Sequence, residues 1–215
     1  MTATEIWNEK IGAQVVKALE ANRFEAYYCA TRKEAKQKIL SLIPKSETVS
    51  WGGCQTMEEL GVIEEIKNGG YSVIDRDTAK SPEERTELMR KALLCGTFLS
   101  GTNAITQDGQ LLNIDGNGNR VAAITYGPKN VIIACGTNKI VRNIDDALVR
   151  AQTVAAPVNA QRFDIKTPCK ITGKCADCNS ADCICNVFVT TRHSKPAGRI
   201  KVVIAGEALG FELTP

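Results

Sequence analysis

Five of the nine cysteines fall within 17 residues, as Cys169-x5-Cys175-x2-Cys178-x4-Cys183-x-Cys185. Thiolates this close in sequence can converge on one metal ion or cluster. The intervening Lys, Gly, Asp, Asn and Ser cannot build a core, so a metal would order a loop that has no other reason for order. Five candidates for four positions leave one spare, and Cys183 and Cys185 flank a single residue. Zinc and an iron–sulfur cluster both accept four thiolates, and spacing does not separate them. The alternative is a set of free or redox-active thiols on a surface loop. Cys29, Cys54, Cys95 and Cys135 sit at or near predicted element ends, where core packing is the default for free cysteine. Cys54 differs in following Gly52-Gly53 and preceding a predicted helix, a setting that lowers a thiol pKa and attracts anions.

Other chemistry is sparse. His193, the sole histidine, lies in the polar segment TTRHSKPAG and reads as a solvated loop residue. A Ser–His–Asp site would have one base and no G-x-S-x-G nucleophile motif. No G-x-x-x-x-G-K-[ST] is present, which excludes a P-loop by motif. Gly116-Asn-Gly-Asn-Arg-Val lacks the third glycine of a dinucleotide fingerprint, and no helix is expected after it. Arg120, beside Asn117 and Asn119, could hold a carboxylate or phosphate bidentately. Lys139, after Gly136-Thr137-Asn138, is a second anion contact; the alternative for both is surface charge.

These residues need positioning, and the stretch Phe98 to Lys139 is where it would come from. Ala104 to Thr106, Gln110 to Ile114 and Val121 to Thr125 read as strands of a β-meander. Asp108-Gly109, a type I′ hairpin signal, and Asp115 to Asn119 make its turns. Val131 to Ala134 follows as a buried strand. Before this stretch, helices alternate with strands. Thr4 to Asn22 is a predicted helix capped by Thr2 or Thr4, Phe24 to Cys29 a strand, and Thr31 with Glu34 a capping box opening a helix that Pro44 stops. Thr48 to Trp51 and Tyr71 to Ile74 are strands around a segment from Met57 to Lys67, opened by Thr56-x-x-Glu59. Ser81-Pro82-Glu83-Glu84 starts another helix, ended by Gly96. After the stretch, Asn143 caps a helix to about Ala156, where Pro157 intervenes. The Cys-rich loop spans Thr167 to Asn186, and Val187 to Thr191 and Ile200 to Ala205 are closing strands. This order predicts an α/β fold with a largely parallel sheet flanked by helices and made mixed by the meander, in a single domain over residues 1–215.

With 43% hydrophobic residues the chain can bury a core, and 27 basic against 24 acidic residues give a near-balanced charge. Aromatics at 5% and the lack of a basic tract disfavour nucleic acid as a partner. No apolar run approaches the ~20 residues of a membrane span. The first residues, MTATEIWNEKIGAQ, do not read as a signal peptide, so a cytoplasmic location is expected. Clustered cysteines in a reducing compartment hold metals more often than disulfides.

The segments WGGCQTMEELG (51–61), FLSGTNAITQDGQLLNIDGNGNRVAAITYGPKNVIIACGTNKIV (98–141), AAPVNAQR (155–162) and TPCKITGKCADCNSADCICN (167–186) together resemble the LUD domain family. The resemblance is to lactate-utilization proteins of the LutC/YkgG type and runs in order over nearly the whole chain. It implies a NagB/RpiA/CoA-transferase-like fold and a role in oxidation of L-lactate to pyruvate, as an accessory or ligand-binding subunit partnered by iron–sulfur subunits. Ligands in that superfamily approach glycine-rich loops over strand ends, here Gly52-Gly53, Gly101-Thr102-Asn103, Gly116-Asn117-Gly118-Asn119-Arg120 and Gly136 to Lys139 with Asn138. The ligand expected there is a small anion. The resemblance also implies Cys169, Cys175, Cys178 and Cys185 as the metal ligands, with Cys183 the spare, and it transfers no catalytic residue. The ferredoxin-type C-x2-C-x2-C-x3-C-P motif of larger relatives is missing, which argues against autonomous electron transfer. A stand-alone enzyme acting on a CoA, sugar-phosphate or nucleotide-like substrate is the alternative, and a homo-oligomer stays open.

Overall fold

Six parallel strands form the central sheet of the computed structural model, which describes residues 1–212. In spatial order they are β1 (Glu25–Cys29), β10 (Ile200–Ala205), β7 (Asn130–Gly136), β4 (Thr97–Gly101), β2 (Thr48–Trp51) and β3 (Ser72–Ile74). The central strands read as near-continuous apolar runs because both faces are covered. In β7 the side chains of Val131, Ile133 and Cys135 enter one core cluster, and those of Ile132 and Ala134 the other. The same alternation divides β10, with Ile200, Val202 and Ile204 opposite Val203 and Ala205. Helix α1 (Ala3–Ala21) supplies Val15 and Leu19 to the first cluster. Helices α2 (Arg32–Ser41), α3 (Gln55–Glu59) and α4 (Val62–Asn68) supply Ile39, Met57 and Ile66 to the second.

Most helix boundaries follow local chemistry. Thr2 caps α1 in a full capping box with Glu5. Thr31 caps α2 through Glu34 N–H, but the Glu34 carboxylate turns to Ala30 N–H, so that box is half made. Ser81 and Pro82 start α5 (Pro82–Lys91), and Asn143 caps α7 (Ile144–Arg150). Pro157 does not stop the helical path. A π-helical turn over Ala151–Ala155 carries the chain from α7 into α8 (Ala156–Ala160), and Pro157 falls in the first turn of α8, where its missing N–H costs nothing. The segment after β2 begins at Gln55 rather than at the Thr56 box, and Gly61, at φ 65°, breaks it into α3 and α4.

The predicted meander is half right. Strands β5 (Ala104–Thr106) and β6 (Leu111–Asp115) pair antiparallel across the Asp108-Gly109 turn. That turn has three residues, Gln107 to Gly109, closed by Thr106 N–H to Gln110 O at 2.9 Å. Only Gly109 takes a positive φ, so the two-residue I′ geometry is not used. Val121 to Thr125 is not a strand but part of helix α6 (Asn119–Thr125), so a helix does follow the glycine-rich turn. Gly118, at φ 79°, starts it, and burial of Val121, Ala123 and Ile124 holds it. The antiparallel strands leave the central sheet purely parallel. They form a second sheet, β8 (Ile140–Val141), β5, β6 and β9 (Val187–Thr191), with α7 packed on its own cluster of Ala104, Leu112, Ile114, Ala147 and Ala151. Among the described residues no helix is long and apolar enough to cross a membrane.

Because β7 is central and fully buried, Ile132→Ala, a side chain with 0% exposure, is expected to cost about 2–5 kcal/mol in urea unfolding. A loss under 1 kcal/mol would mean the core relaxes around the cavity.

Candidate functional site

All six parallel strands end on the same side of the central sheet, and the second sheet stands beside those ends. Between them lies a cleft of about 690 Å³. Its floor comes from the residues just beyond β2, β4 and β7, the usual ligand position in open α/β sheets. Of the sequence-predicted residues, Gly53, Gly101, Thr102, Asn103, Gly116, Asn117, Asn119, Arg120 and Lys139 border it. Gly52, Gly118 and Asn138 do not line it. Asn138 instead exchanges hydrogen bonds with the backbone of Leu209.

Arg120 is turned inward. Its Nη1 donates to Asn113 Oδ1 at 2.7 Å and to Gly101 O at 3.2 Å. Its Nη2 donates to Ile114 O at 2.7 Å and to Asn103 Oδ1 at 3.2 Å. Its Nε lies 3.7 Å from Asp115 Oδ2. The Asp115 carboxylate also accepts from the N–H groups of Asn117, Gly118 and Val121, which sets the glycine turn and the start of α6. Desolvation lowers the Arg120 pKa, and Asp115 partly restores it. The guanidinium is thus a clamp joining the ends of β4 and β6, with its donors spent on the protein.

Lys139 is the opposite case. It follows β7 in a 3-10 turn and is 6% exposed. Its ammonium donates to Thr56 Oγ1 at 2.8 Å, and no carboxylate among the described residues forms a salt bridge with it. Burial pushes its pKa below the ordinary lysine value, with the thiols of Cys54 and Cys135 opposing that shift. The sulfur of Cys54 sits on the same floor, 2.7 Å from where a Gly101 Cβ would be.

The glycines make room for these side chains. A Cβ on Gly52 would lie 2.7 Å from Arg120 Cδ, one on Gly53 2.9 Å from Arg76 Nη2, and one on Gly210 3.2 Å from Lys139 Nζ. Arg76, Arg85, Met89, Phe163 and the Gly210-Phe211 segment also line the cleft, and the sequence reading did not single them out. Arg76 lies just past β3, where the register of β3, β2 and β4 continues level with Gly52 and Ser100.

All five loop thiols border a second, small cavity of about 40 Å³, also lined by Pro157, Thr167 and Phe188. Thr167 caps the short α9 (Pro168–Thr172), which carries Cys169. The N–H of Asp177 donates to Cys175 Sγ at 3.5 Å and that of Cys185 to Cys183 Sγ at 3.4 Å. Burial, then the neighbouring thiols, push the Cys185 pKa up to about 12. The thiols converge, but among the described residues no three Cys, His, Asp or Glu side chains form a ready metal-ligating group. Cys183 and Ile184 line both cavities, so this loop is also a wall of the cleft. Cys29, Cys95 and Cys135 are buried in the core, and His193 is exposed between β9 and β10.

The sequence profile of the LUD domain matches residues 12–205. Among solved structures, a DUF162 family protein from Deinococcus radiodurans is similar at 13% identity and TM-score 0.54, over 92% of this chain and 97% of that one. That likeness shows the α/β fold. Ribose 5-phosphate isomerase from Plasmodium falciparum matches over 52% of each chain, at 14% identity and TM-score 0.32. The eIF2B delta protein from Chaetomium thermophilum matches over 51% of this chain and 48% of that one, at 18% identity and TM-score 0.34. No curated protein has a matching sequence.

Three substitutions test Arg120 as scaffold. Arg120→Gln is expected to destabilise by about 3 kcal/mol, since it leaves Asp115 and several buried acceptors without their donor. Gly52→Ala should cost about 1–3 kcal/mol against the pinned Arg120 stem, whereas Gly53→Ala meets a side-chain tip that can move. Equal unfolding midpoints for the two alanine variants would contradict the clamp.

Proposed function

The chain belongs to the LUD domain family, and from that premise we propose that it is a lactate-utilization protein of the LutC/YkgG type. In this reading it is an accessory or ligand-binding subunit of a cytoplasmic iron–sulfur system that oxidises L-lactate to pyruvate. The observation that supports it is Lys139, a buried ammonium on the cleft floor with a hydroxyl for its partner. Burying a cation without a carboxylate costs stability, and an incoming carboxylate such as that of lactate supplies the missing charge. Thr56 orients the ammonium and Arg120 holds the floor. The thiol loop supports a metal held by Cys169, Cys175, Cys178 and Cys185, with Cys183 the spare. The donor set suits either zinc or an iron–sulfur cluster.

The size of the cleft, far larger than lactate requires, favours a second reading. In it the chain is an enzyme of the NagB/RpiA/CoA-transferase-like class, acting on a CoA, sugar-phosphate or nucleotide-like substrate.

Lys139→Met is expected to raise stability by about 1–4 kcal/mol, because an unpaired buried charge is replaced by an apolar chain. The same change should abolish binding of L-lactate or pyruvate in calorimetry. Wild-type affinity should fall as pH rises through the depressed Lys139 pKa, below the range where exposed lysines titrate. Binding that survives Lys139→Met would overturn the anion reading. For the loop, protein purified without oxygen is expected to carry zinc or iron and to protect four thiols from alkylation. Metal-free protein with Cys175 and Cys178 freely alkylated would exclude the metal. Co-purification with iron–sulfur subunits during growth on lactate tests the partner.

A further inference from the structure

Arg76 is a second cation without a settled partner. It begins the 3-10 turn Arg76–Thr78 after β3, with the Asp75 side chain as its cap. Its side chain is 18% exposed and lies over Gly53, on the cleft. Its Nε is buried and, among the described residues, has no hydrogen-bond acceptor. The carboxylates around it are engaged elsewhere. Asp77 Oδ1 is 3.9 Å from Nε and is held by Arg85 Nη1 at 2.7 Å. Asp75 is paired with Lys67 Nζ at 2.6 Å, and Asp115 belongs to the Arg120 clamp. A half-desolvated guanidinium kept this way is a fork of donors facing an open cavity, the arrangement that recognises an oxyanion in two-point contact.

Arg76 and Lys139 start from opposite sides of the cleft floor, Arg76 beyond β3 and Lys139 beyond β7, with β2 and β4 between those strands. Three strand spacings of ~4.8 Å put the launch points roughly 14 Å apart. From there the heads lean inward, Arg76 Nη2 over Gly53 and Lys139 Nζ onto Thr56. Arg120, its donors spent, lies between them.

We propose that Arg76, flanked by Arg85, is a second oxyanion subsite. The ligand of the cleft then carries two anionic groups at opposite ends, phosphate or carboxylate at each. This rests on the reading of Lys139 as an anion contact and narrows it. L-Lactate, with one carboxylate on three carbons, fills one end only.

The test is calorimetry on the full chain with four probes: L-lactate, inorganic phosphate, a six-carbon sugar 1,6-bisphosphate and 6-phosphogluconate. The two double-ended probes are expected to bind at least tenfold tighter than either single anion. The sugar bisphosphate and the phosphorylated acid differ at one end and so report whether that end prefers carboxylate. Arg76→Gln should remove the tenfold gain and leave L-lactate binding intact. Its melting temperature should stay at the wild-type value, since Arg76 Nε gives the fold no hydrogen bond. Arg76→Lys, which keeps charge but loses the fork, should restore part of the gain. Double-ended probes that bind no tighter than L-lactate, or a gain that survives Arg76→Gln, would overturn the second subsite. If L-lactate binding and its dependence on Lys139 persist in that case, the Lys139 reading stands alone. If no probe binds wild-type protein, both fall.

Discussion

The Arg120 guanidinium and the Asp115 carboxylate hold the candidate site together. One cation takes the end of β4, the end of β6 and the Asn103 side chain, and one anion takes the turn that follows β6. Without that clamp the two sheets would still have their cores, but the strand ends bounding the cleft would lack a common fixed point. Its burial explains why the glycines are needed. A guanidinium can reach five acceptors in a crowded corner only if the neighbouring backbone has no side chain in the way, and Gly52 supplies that space, as Gly101 does for the Cys54 sulfur.

The two sheets divide the work. The parallel sheet aims strand ends that carry Cys54, Arg76 and Lys139 into one cleft. The small mixed sheet closes the cleft from the side and suspends the thiol loop beside it. Asn186 Nδ2 donates to Gly116 O at 3.0 Å, and Gly116 packs on Ile184, so the loop touches the glycine turn directly. Order in the loop and shape in the cleft are therefore coupled through shared backbone, before any metal is considered.

Much of the fold was legible in the sequence because the central strands are apolar on both faces and most helices begin on clear caps. The failures have physical causes. Val121 to Thr125 looks like a strand by composition, yet Gly118 turns the chain and the carboxylate of Asp115 caps a helix there; tertiary burial decided against local propensity. Pro157 looks like a stop, but a π-helical turn absorbs it. For the site, the glycine-rich segments are legible in the sequence, and the structure adds that they make room for side chains. A sequence gives the charge of Arg120 and not its partners, which lie within the protein. Nothing local marks Arg76; it joins the site only when the parallel order brings β3 alongside β2.

The contrast among the cleft's cations carries the functional argument. A protein selected for stability alone would pair or replace a buried ammonium, since an apolar side chain of similar size does better. Here one cation of the cleft is neutralised by a buried aspartate within the fold, while Lys139 and Arg76 are buried with weaker company. Both line the same cavity, Lys139 with a hydroxyl for its partner, and the acids near Arg76 are bound to other bases. On the proposed reading, these two cations are what an incoming anion would meet.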